Sequence, residues 1–397
     1  MRITLLNQFY APDISPTAQL AASVAEHRAA LGDEVTVITG RAGYLEDLVP
    51  SAPVHQGPGL HVRRVWTPDL GKSTVTKRLV GYASYSSLGL LRLVSLKRQD
   101  VVIAMTTPPL IVVVAVLHKL LHRRTHVVLW SMDCYPDAAE RFGELRAGGT
   151  LSRALRAVNR WAFRQVGDVV ALDGAMVELL QQYVTAPAPA FHVVPNWERA
   201  ALFPDPAVTT VEPWSGYSVL PRERPVVVYL GNTGVGHRFD TVLDAAERLA
   251  DDVTFLFVGG GSRWDDLEAE VERRKLTNVV LHGYVPKEDT PAVMAGAAAA
   301  LITLDDRSLG VMSPSKLHAN LAAGLPVLYV GPEGSNVDEA IERFGCGASV
   351  RTGDLDGLVA AVRSVISDPD LRGRARHAFE AAYADTATLP LLDEVLG

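Results

Sequence analysis

The chain holds only two cysteines in 397 residues, Cys134 and Cys346, far apart in sequence. That excludes a disulfide-built scaffold and reads as two reduced, structural thiols of a cytosolic protein. Apolar runs of membrane-spanning length are also missing. Residues 101–117, "VVIAMTTPPLIVVVAVL", are broken by Pro108 and Pro109, so a strand, a loop and a core helix are predicted there. Residues 79–96 carry five serines or glycines before Leu90, and Arg92 after it, which argues against a spanning helix. The opening "MRITLLNQFYAPD" has the form of a buried strand and a turn, not of a secretory signal. No low-complexity tract suggests disorder. No cluster of metal-ligand spacing and no D-x-D in a suitable loop is present, so no metal and no bound cofactor are expected. The glycine turns do not fit G-x-G-x-x-G with an acid about 20 positions on, which disfavours a nicotinamide cofactor.

What is present is globular: 48% hydrophobic and 21% charged residues, with mean hydropathy near zero. The length exceeds one ordinary core and favours two domains. The net charge of −7 hides an asymmetry. Residues 60–166 hold 17 Lys/Arg against 6 Asp/Glu, a balance of +11, leaving −18 elsewhere. Such a basic block suits a surface that meets phosphates, either anionic lipid headgroups or a phosphorylated acceptor. Solvated arginines on helix faces would give the same count.

Strand and helix patterns alternate along the chain. "RITLLNQF", the helix stopped by Gly32, and the strand from Glu34 to Thr39 make a βαβ unit. "DVVIAM", "THVVLW", "GDVVAL" and "FHVVPNW" continue the series to about residue 200. Residues 201–224 contain four prolines and no periodicity, and read as a linker. The alternation restarts with "PVVVYLGNTG", "VTFLFVGGGS", "NVVLHGY" and "PVLYVG". The predicted fold class is α/β, two doubly wound parallel-sheet domains. Their predicted spans are 1–200 and 225–375, with a C-terminal helical segment, 376–397, that packs across domains.

In such sheets ligands sit outside the carboxyl ends of the strands. "YLGNTGVGH" and "FVGGGSRW" place small residues at two such ends, where backbone N–H groups can approach a phosphate. A tight turn that simply needs glycine is the alternative. In "SPSKLHANLAAG", Ser313 or Ser315 is predicted to cap a helix, with Pro314 in its first turn. Lys316 would then oppose the helix dipole, a local misfit that a bound phosphate would relieve. A surface lysine is the plainer reading.

Together these segments resemble the family 4 retaining nucleotide-sugar glycosyltransferases of the GT-B fold, closest to those that build bacterial surface polysaccharides. The residues that carry the likeness are "GN.G..H", "F.VGGG", "HGYVP.ED.P", "SPSK…AAGLPV" and "GCGASV..GDLDGL". "QFYAPDISPTAQ", "MTTPP", "WSMDCYPD" and "VVPNW" extend it through the N-terminal half. The resemblance implies two facing Rossmann-like domains, with the acceptor bound in the N-terminal one. The donor would bind in the C-terminal domain, and the last helix would cross back.

By the same resemblance, Gly283, Tyr284 and Val285 would hold the nucleobase. Asn232, Gly234, His237, Gly259, Gly260, Ser313, Ser315 and Lys316 would line the diphosphate. Asp13, Ser15, Thr17 and Asp133 would meet the acceptor, with Asp133 and Lys316 in the catalytic roles. Two departures stand out. The family's two glutamates are Val311 and Ala319 here, so His318 or Asn320 is expected to take the ribose. The usual Arg and Lys of the first glycine loop are Asn232 and His237, which leaves Lys316 as the main counter-charge, with His237 as a helper if it is protonated.

The implied activity is metal-independent, retaining transfer of a hexose or N-acetylhexosamine from a nucleotide-sugar, most plausibly UDP-linked. The implied acceptor is a glycan or polyprenyl-linked, reached from the cytoplasm at the inner membrane face, with peripheral contact through the basic region. No nucleic-acid partner is implied. Rival readings are transfer to a soluble secondary metabolite and a degenerate nucleotide-sugar binder without turnover.

Overall fold

A computed structural model describes residues 1–13, 15–41, 57–68, 75–203, 213, 224–286 and 289–397. Most of the linker predicted over 201–224 lies outside them, as do 69–74 of the basic block and 287–288 of the "HGYVP.ED.P" segment. The chain divides into two compact units: Met1–Val194 with Leu389–Gly397, and Pro195–Thr388.

The first unit is built on seven strands: β1 (Arg2–Leu6), β2 (Glu34–Gly40), β3 (Leu60–Val65), β4 (Val101–Met105), β5 (His126–Trp130), β6 (Asp168–Ala171) and β7 (Ala190–Val193). Their order is β3-β2-β1-β4-β5-β6-β7, and every pair is parallel. β4 is buried at all five positions, as a strand covered on both faces must be. That is why it appears in the sequence as a continuous apolar run rather than an alternation. Helices α1 (Pro16–Ala30), α2 (Val75–Val94), α3 (Val112–Leu121), α4 (Asp137–Arg141), α5 (Thr150–Phe163) and α6 (Gly174–Gln181) make the connections. Gly32, at φ 93°, ends the first of them as expected. Leu5 is fully buried in β1, and truncating such a side chain to Ala costs about 2–5 kcal/mol. The serine- and glycine-bearing run 79–96 falls in α2, and no described helix is long and apolar enough to cross a membrane.

The second unit has six strands: β8 (Val226–Asn232), β9 (Thr254–Gly260), β10 (Val279–His282), β11 (Ala299–Thr303), β12 (Val327–Val330) and β13 (Gly347–Val350). Their order is β10-β9-β8-β11-β12-β13, again all parallel. Helices α7 (Asp240–Arg248), α8 (Trp264–Arg274), α9 (Thr290–Ala295), α10 (Lys316–Ala322), α11 (Asn336–Phe344), α12 (Leu355–Ser367) and α13 (Leu371–Ala378) cover the two faces. A π-helical turn, Phe379–Tyr383, separates α13 from α14 (Asp385–Leu396). Residues up to Thr388 group with the second unit and Leu389–Gly397 with the first. There Asp393 pairs with His27 at 2.7 Å and Arg28 at 2.9 Å on α1.

Strand order reverses between β1 and β4 in one sheet and between β8 and β11 in the other. At such a switch point neighbouring connections leave in opposite directions and open a crevice at the carboxyl ends. The described loop residues there are 7–13, 15 and 106–111 in the first unit, and 233–239 and 304–315 in the second.

Candidate functional site

In the second unit the ends of β8 and β9 press together. A Cβ on Gly259 would lie 2.1 Å from the Gly231 carbonyl oxygen, and Gly259 sits at φ 146°. A Cβ on Gly261, at φ 141°, would lie 2.3 Å from Asn232 Oδ1. Both positions therefore require glycine, and the backbone is left bare at the switch point.

Lys316 reaches this point from the start of α10. Its Nζ donates to the Asn232 carbonyl oxygen at 3.1 Å and lies 3.1 Å from His237 Nε2. The ammonium sits 4.8 Å over the Tyr229 ring, close enough for a cation–π contact. The Tyr229 hydroxyl donates to the same Asn232 oxygen at 2.8 Å. Among the described residues no carboxylate pairs with Lys316. Desolvation draws its pKa down to about 7. The cation is thus held in place and left without a counter-ion.

His237 Nδ1 lies 2.6 Å from the Thr303 carbonyl oxygen, so that nitrogen carries the proton and Nε2 offers its lone pair to Lys316. Burial, and then Lys316, lower the imidazole to about 3. The condition for His237 to add positive charge is not met: the ring is a neutral acceptor that orients Lys316. Arg263 donates to the His237 carbonyl at 3.0 Å and braces the same turn.

The predicted helix start also needs correction. Helix α10 begins at Lys316, and Ser315 is already α-helical (φ −71°, ψ −14°) with no side-chain cap bond. A capping side chain needs an extended backbone at that position, so neither the serine cap nor Pro314 in the first turn is realised. His318 and Asn320, expected to replace the missing glutamates, are only 2% and 3% exposed. The His318 ring packs against Tyr383 with centroids 5.4 Å apart, and its Nδ1 meets the Ser315 carbonyl at 3.1 Å. Val311 is fully buried. Neither His318 nor Asn320 presents a surface that could grip a ribose.

Tyr284 is exposed and lies against the bare Gly260 backbone, its hydroxyl donating to the Gly260 carbonyl at 3.1 Å. A Cβ on Gly260 would come within 2.9 Å of that ring. Gly283 and Val285 flank it, and Gly234 and Ser313 lie in the two switch-point loops. Asn232, His237, Gly259 and Gly260 gather at one strand edge with Lys316.

In the first unit the switch point is lined differently. Asn7, Gln8, Asp13 and Ser15 are all buried. Asn7 Oδ1, Gln8 Oε1 and Ser15 Oγ have no hydrogen-bond partner among the described residues. The Ser15 N–H donates to Asp13 Oδ1 at 2.7 Å, and Arg64 donates to the carbonyls of Gly40 and Ala11. Thr17 is half-buried in the first turn of α1. One strand over, the Thr106 hydroxyl oxygen accepts from the N–H groups of Met132 at 2.8 Å and Asp133 at 3.0 Å, fixing the turn after β5. Desolvation raises the Asp133 carboxyl to about 6. Asn159 Nδ2, on the inner side of α5, donates to the Tyr135 carbonyl at 2.7 Å and holds the far side of that turn.

Five of these residues escaped the sequence reading: Tyr229, Thr303, Thr106, Arg263 and Asn159. Tyr229 looks like any apolar strand residue. Thr303 acts through its backbone, 66 positions from His237. Tyr229, Arg263 and Thr106 stood in segments already marked, "YLGNTGVGH", "FVGGGSRW" and "MTTPP", but their side chains were given no role there.

Comparison with known proteins agrees with this geometry. Residues 17–197 match the family described as "Glycosyl transferase 4-like domain", and residues 224–368 match "Glycosyl transferases group 1". The chain is 23% identical to "Probable glycosyltransferase WbjE" of Pseudomonas aeruginosa over 314 residues, covering 75% of this chain and 76% of the relative. It is 25% identical to "Putative colanic acid biosynthesis glycosyl transferase WcaI" of Escherichia coli over 386 residues, 93% of each. The solved structure of Anabaena HepE, in complex with UDP and glucose, superimposes with a TM-score of 0.71 at 16% identity, covering 100% of this chain and 99% of that one. Two parallel-sheet units, glycine-bared strand ends and these matches agree: the chain belongs to the family 4 type of glycosyltransferases with the GT-B fold.

Proposed function

We propose that the enzyme transfers a hexose or N-acetylhexosamine, with retention, from a UDP-linked sugar to a glycan or polyprenyl-linked acceptor of surface-polysaccharide synthesis. One observation carries the donor half: a lysine held by two neutral acceptors and an aromatic ring, uncompensated by any described carboxylate, beside bare glycine backbone. That arrangement suits a diphosphate, whose charge an ammonium and backbone N–H groups can share. WcaI is named for colanic acid biosynthesis and HepE was solved with UDP and glucose, which supports the polysaccharide and UDP assignments.

Lys316 holds the leaving diphosphate, and no metal ion is called upon. The bond from the anomeric carbon to the phosphate oxygen breaks, the acceptor oxygen bonds to the same face, and its proton passes to the departing phosphate oxygen. Asp133, as a carboxylate, orients the acceptor hydroxyl. The unpaired acceptors Asn7 Oδ1, Gln8 Oε1 and Ser15 Oγ suit a hydroxyl-rich acceptor, because sugar hydroxyls supply donors. The work is cytoplasmic, at the membrane face where a polyprenyl-linked acceptor is held.

Thermal-shift screening against nucleoside diphosphates and nucleotide-sugars tests the donor reading. UDP and a UDP-sugar should raise the melting temperature of the wild type and not of Lys316→Ala. Equal stabilisation of both proteins would remove Lys316 from the site.

A further inference from the structure

A cavity of about 400 Å³ opens on the second unit at the starts of α7 and α8, and the proposed chemistry does not use it. Its size falls in the range of small-ligand sites, roughly 300–1,000 Å³. Buried Phe239, Leu243 and Leu267 give it an apolar floor. It adjoins the loop that holds Lys316. Arg263, which lines the cavity, donates to the His237 carbonyl at 3.0 Å, and the N–H of Asp305, which also lines it, donates to the Gly236 carbonyl at 2.8 Å. The other lining side chains are charged too, and the two signs nearly cancel, three arginines against four carboxylates. Most of them are already matched. Arg238 donates to Asp240 at 3.1 Å, Arg307 grips both oxygens of Asp305 at 2.9 Å, and Glu270 is taken by Arg273 and Arg274. What stays open is a small set. Both Arg238 bonds go to Asp240 Oδ2, which leaves Oδ1 open. Asp266 is exposed and has no hydrogen-bond partner among the described residues. Arg263 spends only Nη1, so its Nε and Nη2 donors are open.

We propose that this cavity is a carbohydrate-binding site, separate from both switch-point crevices, in which Asp240, Asp266 and Arg263 bind the hydroxyls of a neutral sugar. The lining selects against the other ligand classes. An anion would meet four carboxylates and, Arg263 apart, would win a guanidinium only from its present partner. A cation would meet three guanidiniums. An apolar ligand would strip water from every ion around it. A neutral, hydroxyl-rich ring breaks no ion pair. Its hydroxyls donate to the open carboxylate oxygens and accept from the open guanidinium N–H groups, while its C–H face lies on the apolar floor. The occupant is a free sugar or one residue of a glycan chain. Arg263 also ties the cavity to the donor loop, because the same guanidinium holds the carbonyl of His237, whose ring orients Lys316. A sugar in the cavity and a ligand at Lys316 therefore share one turn, and any effect on each other's affinity is reciprocal. The site goes beyond the proposed transfer reaction and does not rest on it.

The test is saturation-transfer NMR on the full chain with UDP present. The probes are methyl α-glucoside, methyl α-galactoside, methyl α-mannoside and N-acetylglucosamine, then maltotriose, cellotriose and mannotriose. The wild type should show transfer to at least one of these sugars. Asp240→Ala/Asp266→Ala, which removes the open acceptors, should weaken that binding at least about tenfold. Asp266→Arg, which replaces an acceptor with donors and narrows the mouth, should do the same and serves if the double variant perturbs folding. A trisaccharide bound about tenfold or more tighter than its monosaccharide identifies a glycan chain as the occupant, and equal affinities identify a free sugar. The proposal is overturned if none of the sugars shows transfer. It is equally overturned if binding is undiminished in both variants, as it would be for a sugar in the β1/β4 crevice, or if an equal concentration of inorganic phosphate displaces the sugar. The assay reads sugar binding alone, so its outcome is separate from that of the donor-binding screen.

Discussion

The two switch points share a topology and differ in chemistry. At the β8/β11 crevice the lining is bare backbone and one uncompensated cation. At the β1/β4 crevice it is buried hydrogen-bond acceptors, with a carboxyl of raised pKa one strand away. The first arrangement suits a charged ligand and the second suits hydroxyl donors. One sheet order can therefore suit two kinds of ligand, because the topology supplies only a crevice and the loop side chains decide what fits it.

The comparison breaks most severely at Gly259. Replacing it with Ala drives a methyl into the Gly231 carbonyl from a backbone conformation that L-residues avoid, so a loss of about 3 kcal/mol or more is expected in denaturant unfolding. Ser262, one turn further on and exposed, should tolerate Ala within about 0.5 kcal/mol. Next in size is Lys316→Ala, which should weaken UDP-sugar binding about thirtyfold or more by calorimetry, the scale of a lost charge-assisted contact. Asp133→Asn should lower kcat at least about tenfold while leaving UDP-sugar affinity unchanged. If the carboxylate is the working form, wild-type kcat falls as pH drops below about 6, and that limb is absent in the Asn variant. Smallest is Thr106→Val, which unpairs two N–H groups of the Asp133 turn. It should cost about 1–2 kcal/mol of stability and shift kcat more than donor affinity.

Much of this was legible in the sequence. Strands covered on both faces appear as "VVIAM" and "HVVLW", and glycine at the ends of β8 and β9 has no substitute. Lys316 was visible because a lysine before an apolar helix gains nothing locally. What the sequence concealed depends on distant backbone. The charge state of His237 is set by the Thr303 carbonyl, and the Ser315 cap fails because that residue is already helical. The ribose substitutes failed for a related reason. His318 and Asn320 look available in a linear motif, yet the packing of α10 on Tyr383 turns the His318 ring inward, and Asn320 is buried as well.

The depressed pKa of Lys316 makes the proposed donor site testable by pH. The folded value of about 7 lies below the ordinary lysine value near 10.4, so the ligand-free protein binds fewer protons than the unfolded chain between the two. Ligand-free stability therefore rises with pH across that window, most steeply midway between the two values. A bound diphosphate favours the ammonium, so binding in the same window must take up a proton. Titration of UDP-glucose from about pH 6 to about pH 8.5 in the wild type and Lys316→Ala tests this most directly, since its diphosphate diester does not titrate there and its uracil N–H ionises only at higher pH. The expected result is an affinity that is flat below about pH 7 and falls up to about tenfold per pH unit above it in the wild type, with no such fall in the variant. The same pH profile in both proteins, or undiminished affinity in the variant, would contradict the assignment of Lys316 as the diphosphate's counter-charge.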